Sequence, residues 1–439
     1  MFKYYLQLAW KSLIGTPVVT SLMLLAIALG IASSIGTLSI YHMMSMDPIP
    51  EKSQQLFALQ LKSYDENQTN WGGYDDGFPA QITYQDAVNL RRGNIAKRQT
   101  AMLRITFAVQ LEDSDFTPKL ERSRAADREF FSMFNAEFEY GGTWDKSADE
   151  QGQKMAVIGE RLNRELFGGG DNVGKQVSLN QKSFTIVGIL KVWEPTPMFY
   201  DVNGSAFNDT EQIFVPFSLL PIYEYPSSGN NSSWKNEDIF TYQDKLQSET
   251  HWIQYWVELV DKPQKENYQD YLSAYIENQK QAGRFTRKDA AADLKNVTQW
   301  LSYNEVVSKD NSVLVGLSFL LLIVCLVNTI GLLLAKFLRR APEIGVRRAL
   351  GASQGQVFIQ HLVEVGLLGL MGGTLGIILT QLALWLLRTN YSSYKLIANM
   401  DMVMLLTAPS IAILATVLAG IYPAWKICRT QPSIYLKCQ

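Results

Sequence analysis

One segment of this 439-residue chain has the spacing of a phosphate-binding loop. Gly169, Gly174 and Lys175 stand as G-x-x-x-x-G-K, a pattern whose backbone amides and lysine cradle nucleotide phosphates. The next residue of such a loop is Ser or Thr, whose hydroxyl binds Mg²⁺, but here it is Gln176. A predicted strand follows instead of a helix, so no helix N-terminus would face a phosphate. The sequence therefore predicts a turn here and not a nucleotide site.

The other residues capable of chemistry do not form a catalytic set. The three histidines, His42, His251 and His361, are far apart in the sequence. The chain has no H-E-x-x-H or G-x-S-x-G motif, no cluster of cysteines and no calcium-loop pattern. We therefore predict no catalytic residue, no cofactor and no metal on this chain, so that it is not an enzyme by itself.

Four apolar segments are the elements that must position any functional group. Each is about 23–26 residues long, enough for a helix rising 1.5 Å per residue to cross a ~30 Å hydrocarbon core. We predict a membrane protein with one helix before, and three helices after, a large extracytoplasmic domain. The predicted membrane helices are residues 18–40, 311–335, 362–387 and 403–425.

Basic residues at the ends of these helices predict their orientation. They are concentrated in a segment at 1–17, a loop at 336–361 and a tail at 426–439, which share one side of a four-helix topology. Cytoplasmic segments carry this excess, so both termini are predicted to lie on the cytoplasmic side of the membrane. The domain at 41–310 and a short loop at 388–402 are then extracytoplasmic.

The composition of the extracytoplasmic domain limits its partners. It holds 28 basic and 39 acidic residues, a net charge of −11, which excludes a basic surface for nucleic acid. Membrane lipid is the partner that the apolar segments require. All three cysteines lie outside the domain, so its fold is predicted to need no disulfide.

The domain at 41–310 is predicted to be a layered α/β or α+β fold in two lobes, the second at about residues 150–250. Alternating apolar residues predict a strand at 56–61, and Thr83 is a suitable N-cap for a helix at 84–92. An amphipathic helix is predicted from Glu160 to Phe167. Asn180 and Gln181 predict the turn of a hairpin. Residues 221–248, rich in Ser, Asn, Gly and Pro, predict an irregular exposed loop.

The loop between the second and third membrane helices carries the strongest functional signal. Pro342 suits the first turn of a short helix and Glu343 suits its positive end, while Gly351 ends it. Ser353 and Gln356 then form a capping box that starts the next helix. A stiff helix that continues into a membrane helix can transmit force from a soluble partner. The predicted docking residues are Pro342, Glu343, Ile344, Val346, Arg347, Arg348 and Leu350.

Small residues recur in two of the membrane helices. Such residues let helix backbones approach closely in a membrane. They are interpreted as helix-packing positions, with the alternative that they only permit kinks or packing within a monomer. The predicted packing residues are Gly30, Ser34, Gly36, Gly369, Gly372, Gly373 and Gly376.

Several motifs together resemble one family of membrane proteins. The run from Arg340 to Ser353 and the later Tyr422-Pro423-Ala424-Trp425-Lys426 are similar to the signature of FtsX-like ABC permeases. Asp127-Arg128-Glu129-Phe130-Phe131 and the run from Ala156 to Leu162 resemble the periplasmic core domain of MacB-like permeases. The run from Gly174 to Leu179, continuing to Phe184 through Ile189, does so as well. The resemblance covers nearly the whole chain.

The resemblance implies a division of labour between chains. Such permeases are dimers in a bacterial inner membrane, with the large domain in the periplasm, and a cytoplasmic ATPase docks on the short helix after the second membrane helix. ATP and Mg²⁺ would then be bound by that ATPase. Because about 15 residues precede the first apolar segment, we expect the ATPase to be a separate polypeptide. Whether the second permease protomer is the same or a related chain stays open.

Three functions remain compatible with the sequence. The first is efflux of a peptide, toxin or drug, with a periplasmic adaptor and an outer-membrane channel as further partners. The second is lipoprotein extraction, as in the Lol-type relatives. The third is transmembrane signalling, such as activation of a cell-wall hydrolase without transport. The substrate and the role of the 221–248 segment stay open.

Overall fold

This computed structural model describes residues 2–65, 77–111, 116–391, 397, 398, 400 and 402–429. The chain forms two compact units. One, called here the α/β unit, is Met46–Val306, compared with the predicted domain at 41–310. The other, called here the helix unit, is Met1–Ser45 together with Val307–Gln439. Residues 392–396, 399 and 401 of the loop predicted at 388–402, and residues 430–439 of the tail predicted at 426–439, lie outside the described residues.

The helix unit begins with two helices, α1 (Phe2–Ile14) and α2 (Pro17–Ser45). The segment predicted only as a cytoplasmic stretch at 1–17 is thus mostly helical. The chain then passes through the α/β unit and returns to the helix unit at residue 307.

The α/β unit contains 11 described strands and eight described helices, in an order that alternates irregularly. The strands are β1 (Leu56–Leu61), β2 (Ile82–Thr83), β3 (Arg98–Gln110), β4 (Lys119–Ala126), β5 (Phe138–Gly141), β6 (Met155–Ile158), β7 (Gln176–Leu179), β8 (Lys182–Leu190), β9 (Ile213–Pro216), β10 (His251–Glu258) and β11 (Ala292–Asn296). The helices are α3 (Tyr84–Arg91), α4 (Glu129–Met133), α5 (Lys146–Gln151), α6 (Glu160–Phe167), α7 (Leu219–Tyr223), α8 (Tyr242–Gln247), α9 (Lys262–Gln281) and α10 (Val297–Tyr303).

All described strands join one mixed sheet. Its order is β11-β1-β10-β3-β4-β9-β6-β8-β5, with β2 beside β10 and β7 beside β3 and β8. The pairs β4–β9 and β6–β8 are parallel, and the other pairs are antiparallel. Strands from about 150–250 share this sheet with strands from either side of that range. The division into two lobes stays a prediction.

Both faces of the sheet are buried. Successive strand residues point to opposite faces, and in β1 Phe57 and Leu59 belong to one apolar cluster while Leu56 and Ala58 belong to another. The second cluster is rich in aromatic rings packed edge to face, such as Phe130 on Phe134 at 4.9 Å between centroids. Burial on both faces explains why no disulfide is needed to hold the strands.

Several local predictions in this unit are confirmed. β1 and α6 have the predicted bounds, and the Thr83 side chain accepts a hydrogen bond from the Asp86 amide at the start of α3. β7 and β8 pair as an antiparallel hairpin. Asn180 and Gln181 form its two-residue turn, with φ values of 49° and 62°, the left-handed conformation that a tight hairpin turn of this kind requires.

The prediction of an irregular exposed loop at 221–248 is wrong in part. Residues 242–247 form α8, which starts with a capping box between Thr241 and Asp244. Tyr225 and Trp234 are buried, at 3% and 7% exposure. Composition predicted a loop because polar turn residues dominate the segment, but the few large apolar side chains anchor it to the core.

After the α/β unit, four helices complete the helix unit: α11 (Lys309–Arg339), α12 (Ala341–Ala349), α13 (Gln354–Asn390) and α14 (Met402–Cys428). Among the described residues, α2, α11, α13 and α14 are long and apolar enough to cross a membrane. They extend beyond the predicted spans because helical hydrogen bonding continues past the apolar stretch. In α13, for example, the helix begins at the Ser353 capping box, well before residue 362.

Candidate functional site

The short helix α12 joins two of the membrane-spanning helices. Pro342 lies in its first turn with Glu343, and Arg347 and Arg348 lie in its last turn, so the charges oppose the helix dipole at both ends. Gly351 follows with a φ of 103°, a conformation that favours glycine and stops the helix. Local sequence chemistry therefore accounts for where this helix begins and ends.

The two faces of α12 differ in burial. Ala341, Ile344 and Gly345 are buried against the helix unit, where Ile344 packs in a cluster with Leu13 and Phe337. Of the predicted docking residues, Ile344 thus faces the interior of the unit. The outward face is formed by Pro342, Glu343, Val346, Arg347 and Leu350.

The two arginines at the end of α12 connect it to other helices. Arg348 is half-buried, and its Nη1 donates to the Cys428 carbonyl at 3.1 Å, at the end of α14. The Arg347 Nη1 donates to the Gln360 Oε1 at 3.4 Å, on α13. Just before α12, the Arg340 Nη2 donates to the Ser12 carbonyl at 3.3 Å. These bonds tie the helix and its entry to α1, α13 and α14.

An ion pair lies inside the helix unit close to α12. The Lys336 Nζ is 2.7 Å from the Glu364 Oε1, and the two side chains are 1% and 3% exposed. The Ser12 hydroxyl donates to the same carboxylate oxygen. The cluster therefore joins α1, α11 and α13. His361, one turn before Glu364, is buried beside the Phe337 ring, 4.4 Å between centroids.

Sequence reasoning did not find this ion pair. Its signal was present, since Glu364 is the only carboxylate in the third apolar segment, but Lys336 was interpreted as one of the basic residues that set orientation. The two residues are 28 positions apart on different helices, so no local spacing relates them. Only the packing of α11 on α13 brings them together.

The glycines predicted for helix packing in α13 contact two different helices. An added Cβ at Gly372 would lie 2.7 Å from Ile27, and one at Gly376 would lie 2.8 Å from Ile31, both on α2. On the other side, the Cβ positions of Gly369 and Gly373 meet Thr416 and Ala412 of α14 at 2.0 and 2.7 Å. Real Cβ atoms are not found at such distances, so these glycines allow α2 and α14 to approach α13 from two sides.

The predicted packing residues of α2 face α11 and α13. At Gly30 an added Cβ would lie 2.9 Å from the Leu322 side chain. The buried Ser34 hydroxyl donates to the carbonyls of Gly30 at 2.8 Å and Ser318 at 3.0 Å, a bond between helices. Gly36 has only an ordinary contact, 3.7 Å from Thr380. All seven predicted residues thus face neighbouring helices of the same chain, and six of them do so closely or by hydrogen bonding.

The segment that resembles a phosphate-binding loop forms a turn between α6 and β7. The Asn172 side chain donates to the Gly169 and Gly170 carbonyls, and the Gly174 amide donates to the Ile186 carbonyl at 2.7 Å. The Lys175 amine lies over the Phe167 ring, 5.0 Å from its centroid. These groups are engaged with their own chain, as the predicted turn requires.

Two family matches cover most of the chain. Residues 20–275 match the MacB-like periplasmic core domain, and residues 315–432 match the FtsX-like permease C-terminal domain. The second match includes α12, the ion pair and the glycines of α13.

Individual relatives are distant. The chain is 22% identical over 388 residues to the macrolide export ATP-binding/permease protein MacB of Vibrio parahaemolyticus, covering 87% of this chain and 52% of that protein. It is 22% identical over 249 residues to the uncharacterized ABC transporter permease YknZ of Bacillus subtilis, covering 56% and 53%. The chain thus spans about half the length of these curated relatives.

Among solved structures, the periplasmic region of MacB from Actinobacillus actinomycetemcomitans matches with a TM-score of 0.36 and 12% identity, covering 57% of this chain and 93% of that one. The MacB-like match at 20–275 by itself includes more than half of the residues. This protein therefore belongs to the family of ABC transporter permeases that combine a MacB-like periplasmic core domain with an FtsX-like permease domain.

Proposed function

We propose that this chain is the permease subunit of a MacB-like ABC transporter and relays the motion of a separate cytoplasmic ATPase to its periplasmic domain. The observation that carries the proposal is the two-faced helix α12. One face packs into the helix unit and the other is exposed between two membrane-spanning helices. A partner that grips the exposed face would therefore act directly on both helices.

The exposed face of α12 has the chemistry of a docking surface. Leu350 and Val346 are 83% and 48% exposed, and Glu343 and Arg347 flank them with opposite charges. An apolar centre with a polar rim is typical of protein interfaces. We infer that the ATPase contacts these four residues and Pro342, whereas Ile344 and Arg348 hold the helix in place.

The contacts of α12 give a path for force. Arg348 and Arg347 connect it to α14 and α13, and the Lys336–Glu364 pair with Ser12 connects α11, α13 and α1. Close packing at the glycines of α13 lets α2 and α14 follow its movement. A displacement of α12 would thus be shared by the bundle instead of being absorbed by a flexible loop.

The cargo that we propose is a peptide, toxin or drug exported through a periplasmic adaptor and an outer-membrane channel, with a second permease protomer beside this one. The support is that several relatives are named macrolide export proteins, a name that describes those proteins. The α/β unit would be the part that meets the adaptor.

The first experiment is affinity purification of the tagged chain in mild detergent with mass spectrometry of the proteins that accompany it. We expect a cytoplasmic ABC ATPase and a periplasmic adaptor, and no ATP hydrolysis by the chain alone. Recovery of a lipoprotein carrier or a hydrolase activator in place of the adaptor would replace efflux by extraction or signalling. Absence of any ATPase would contradict the proposal.

The second experiment tests the docking face with the recovered ATPase. Glu343→Lys and Leu350→Asp are expected to reduce ATPase stimulation and export by at least tenfold, with normal insertion into the membrane. Lys426→Glu is the matched control, because it reverses an exposed charge near the end of α14 but lies outside α12. Export that is unchanged by both α12 variants would rule out this docking face.

A further inference from the structure

Strand β11 lies at one end of the sheet order and, within the described residues, pairs with a single strand, β1. Such an edge presents backbone groups that an incoming strand can pair with. The Lys62 amide donates to the Ala291 carbonyl at 2.8 Å, which continues the β1–β11 register by one residue. Hydrogen-bonded and non-hydrogen-bonded pairs alternate in an antiparallel ladder. The N–H and C=O groups of Ala292 and Leu294 therefore point away from β1.

Side-chain oxygens already accept hydrogen bonds from some of the outward backbone amides of β11. The Leu294 amide donates to the Asp293 Oδ1 at 2.8 Å, and the Asn296 amide donates to the Gln299 Oε1 at 3.1 Å. Both bonds agree with the alternation, since they involve the amides expected to face outward. Within the part of the chain that the structure describes, the Ala292 amide and the carbonyls of Ala292 and Leu294 are left as three groups suited to a partner strand.

A trough runs between this edge and helix α9, and helix α10 also lines its larger part. It is formed by two adjoining cavities of about 710 and 380 Å³, which share Gln269 and Leu294. On α9 its wall is a single stripe, from Lys265 to Glu277, about 18 Å long at 1.5 Å per residue. That length accommodates five or six residues of an extended strand at about 3.3 Å each. We call this trough the edge groove.

The lining of the edge groove changes along its length. Apolar residues form six of the nine lining positions of the smaller cavity, with Gln269, Ser273 and Glu277 as the other three; the six are Leu272, Ile276, Ala290, Ala291, Ala292 and Leu294. The larger cavity contains Lys265 and Lys295, with Asp293 as the acidic residue bonded to Lys295. The groove therefore offers apolar side chains within a mixed lining in the smaller cavity and a positive charge at Lys265 in the larger one.

We propose that the edge groove binds an extended polypeptide segment of an extracytoplasmic partner, which adds a strand to β11. The segment would place an apolar side chain in the smaller cavity and an acidic side chain near Lys265. This is strand addition, in which backbone hydrogen bonds give affinity and alternate side chains give specificity. A second copy of this chain fits less well, because its own α9 stands beside its β11 and would enter the space that the first α9 occupies.

The inference rests on the proposed function only for the side of the membrane on which the partner is found. Binding of a peptide in solution requires neither the ATPase nor transport. A failure of ATPase docking and a failure of peptide binding are therefore separate results.

The test uses the full chain in nanodiscs and a fluorescein-labelled heptapeptide that alternates valine and threonine and ends in glutamate, together with its reversed sequence. Two further versions carry N-methyl groups on either the valine amides or the threonine amides. Only every second amide of a paired strand faces its partner. We expect one of the unmethylated peptides to bind, and methylation of one set of amides to weaken it at least tenfold while methylation of the other set does not.

Variants of the groove sharpen the test. Ala292→Pro removes the outward amide and is expected to weaken peptide binding at least tenfold. Ala292→Ser keeps that amide, and its affinity for the peptide is expected to be unchanged. Ser273→Trp fills the smaller cavity, and Ala274→Trp, one residue along α9 and outside the cavity, is its control. Lys265→Glu is expected to weaken binding about threefold to tenfold, and Lys262→Glu is its control on the same helix.

Several outcomes would overturn the proposal. One is equal loss of binding with both methylated peptides, which indicates contact through side chains alone. Another is unchanged binding by Ala292→Pro and Ser273→Trp, and a third is no binding by any peptide. Self-association of the chain that Ala292→Pro abolishes would assign the edge to a second copy instead.

Discussion

The α/β unit and the helix unit each enclose charged side chains, and they support them in different ways. In the α/β unit, the fully buried Arg124 Nη2 lies 2.6 Å from the Asp201 Oδ2 and 2.5 Å from the Glu211 Oε1. In the helix unit, Lys336 faces a single carboxylate, Glu364, with one hydroxyl beside it. One is a network with several charges, and the other is a single pair.

The surroundings of the two clusters explain the difference. Arg124 lies on β4, whose ladder bonds already fix its position, and the Tyr200 hydroxyl donates to Glu211 at 2.8 Å. Burial by itself would raise the pKa of Glu211, but the Arg124 charge and these hydrogen bonds bring the pKa below its ordinary value. A helix satisfies its backbone internally, so only side chains fix the spacing between helices. There the ion pair and the small residues carry the specificity.

The largest effect is expected in the α/β unit. Arg124→Met would leave two buried carboxylates without their cation, and loss of one partner of a buried pair costs about 3–5 kcal/mol. This loss of stability is measured by thermal unfolding in detergent, with tryptophan fluorescence as the signal, since seven of the ten tryptophans lie between residues 46 and 306. Arg122→Met, at a half-buried position on the same strand, is expected to change stability by no more than about 0.5 kcal/mol. Equal effects of the two variants would contradict the network interpretation.

The next effect tests the helix unit. Lys336→Met leaves the buried Glu364 carboxyl without its cation, at an expected cost of about 2.5–3.5 kcal/mol. The double variant with Glu364→Gln removes both charges and should recover more than half of that loss. A thiol-reactive dye reports unfolding of this unit in a Cys438→Ser background, because Cys325 and Cys428 both lie in it. If the double variant is as unstable as the single one, the pair is not the reason for the loss.

Helix spacing gives a smaller effect. A Cβ at Gly376 would lie 2.8 Å from Ile31 and 3.1 Å from the Ala28 carbonyl, so Gly376→Val must separate α13 from α2. Overpacking of this kind costs about 1–3 kcal/mol. Gly366→Val, on the same helix with open space at its Cβ, is the control and should be nearly neutral in the same dye assay. A loss as large at position 366 would mean that helix propensity, and not close packing, is being measured.

The smallest effect concerns pH. Burial, and then the nearby Asp127 charge, raise the pKa of Asp149 to about 7. Its unfolded pKa is about 3.9, so the folded state holds the proton more tightly and loses stability as pH rises towards and through 7. Asp149→Asn removes this dependence and is expected to be about 1–2 kcal/mol more stable than the parent at pH 8 but equal to it near pH 4.

The measurement is the difference in unfolding between the two proteins across pH 4–8. Burial also lowers the pKa of His251 to about 4, so both proteins lose stability as pH falls below about 6.5, and this contribution cancels in the difference. Glu150→Gln, at the exposed neighbouring residue, is the control and should show no such pH dependence. A difference that does not grow with pH would refute a protonated Asp149.

Features that depend on residues close together in the sequence were predicted correctly, and features that depend on residues far apart in the sequence were not. The bounds of α6, the cap at Thr83 and the turn at Asn180–Gln181 follow from neighbouring residues, and they were predicted correctly. Helix α8 was missed because it is stabilised by burial of residues that composition treats as part of a loop. The helix at 2–14 was missed because it contains no long apolar run, and it is held by a few buried positions such as Ala9 and Leu13.

The same division holds for the candidate site. The sequence by itself determined one apolar helix before and three after a polar domain, a capped helix between two of them, and glycines at helical spacing. Each of these features depends on residues within a few helical turns of one another. Only the tertiary structure decided that Ile344 faces inward, that Lys336 meets Glu364, and that β11 ends the sheet beside α9. These features depend on which distant segments pack together, and neither periodicity nor capping contains that information.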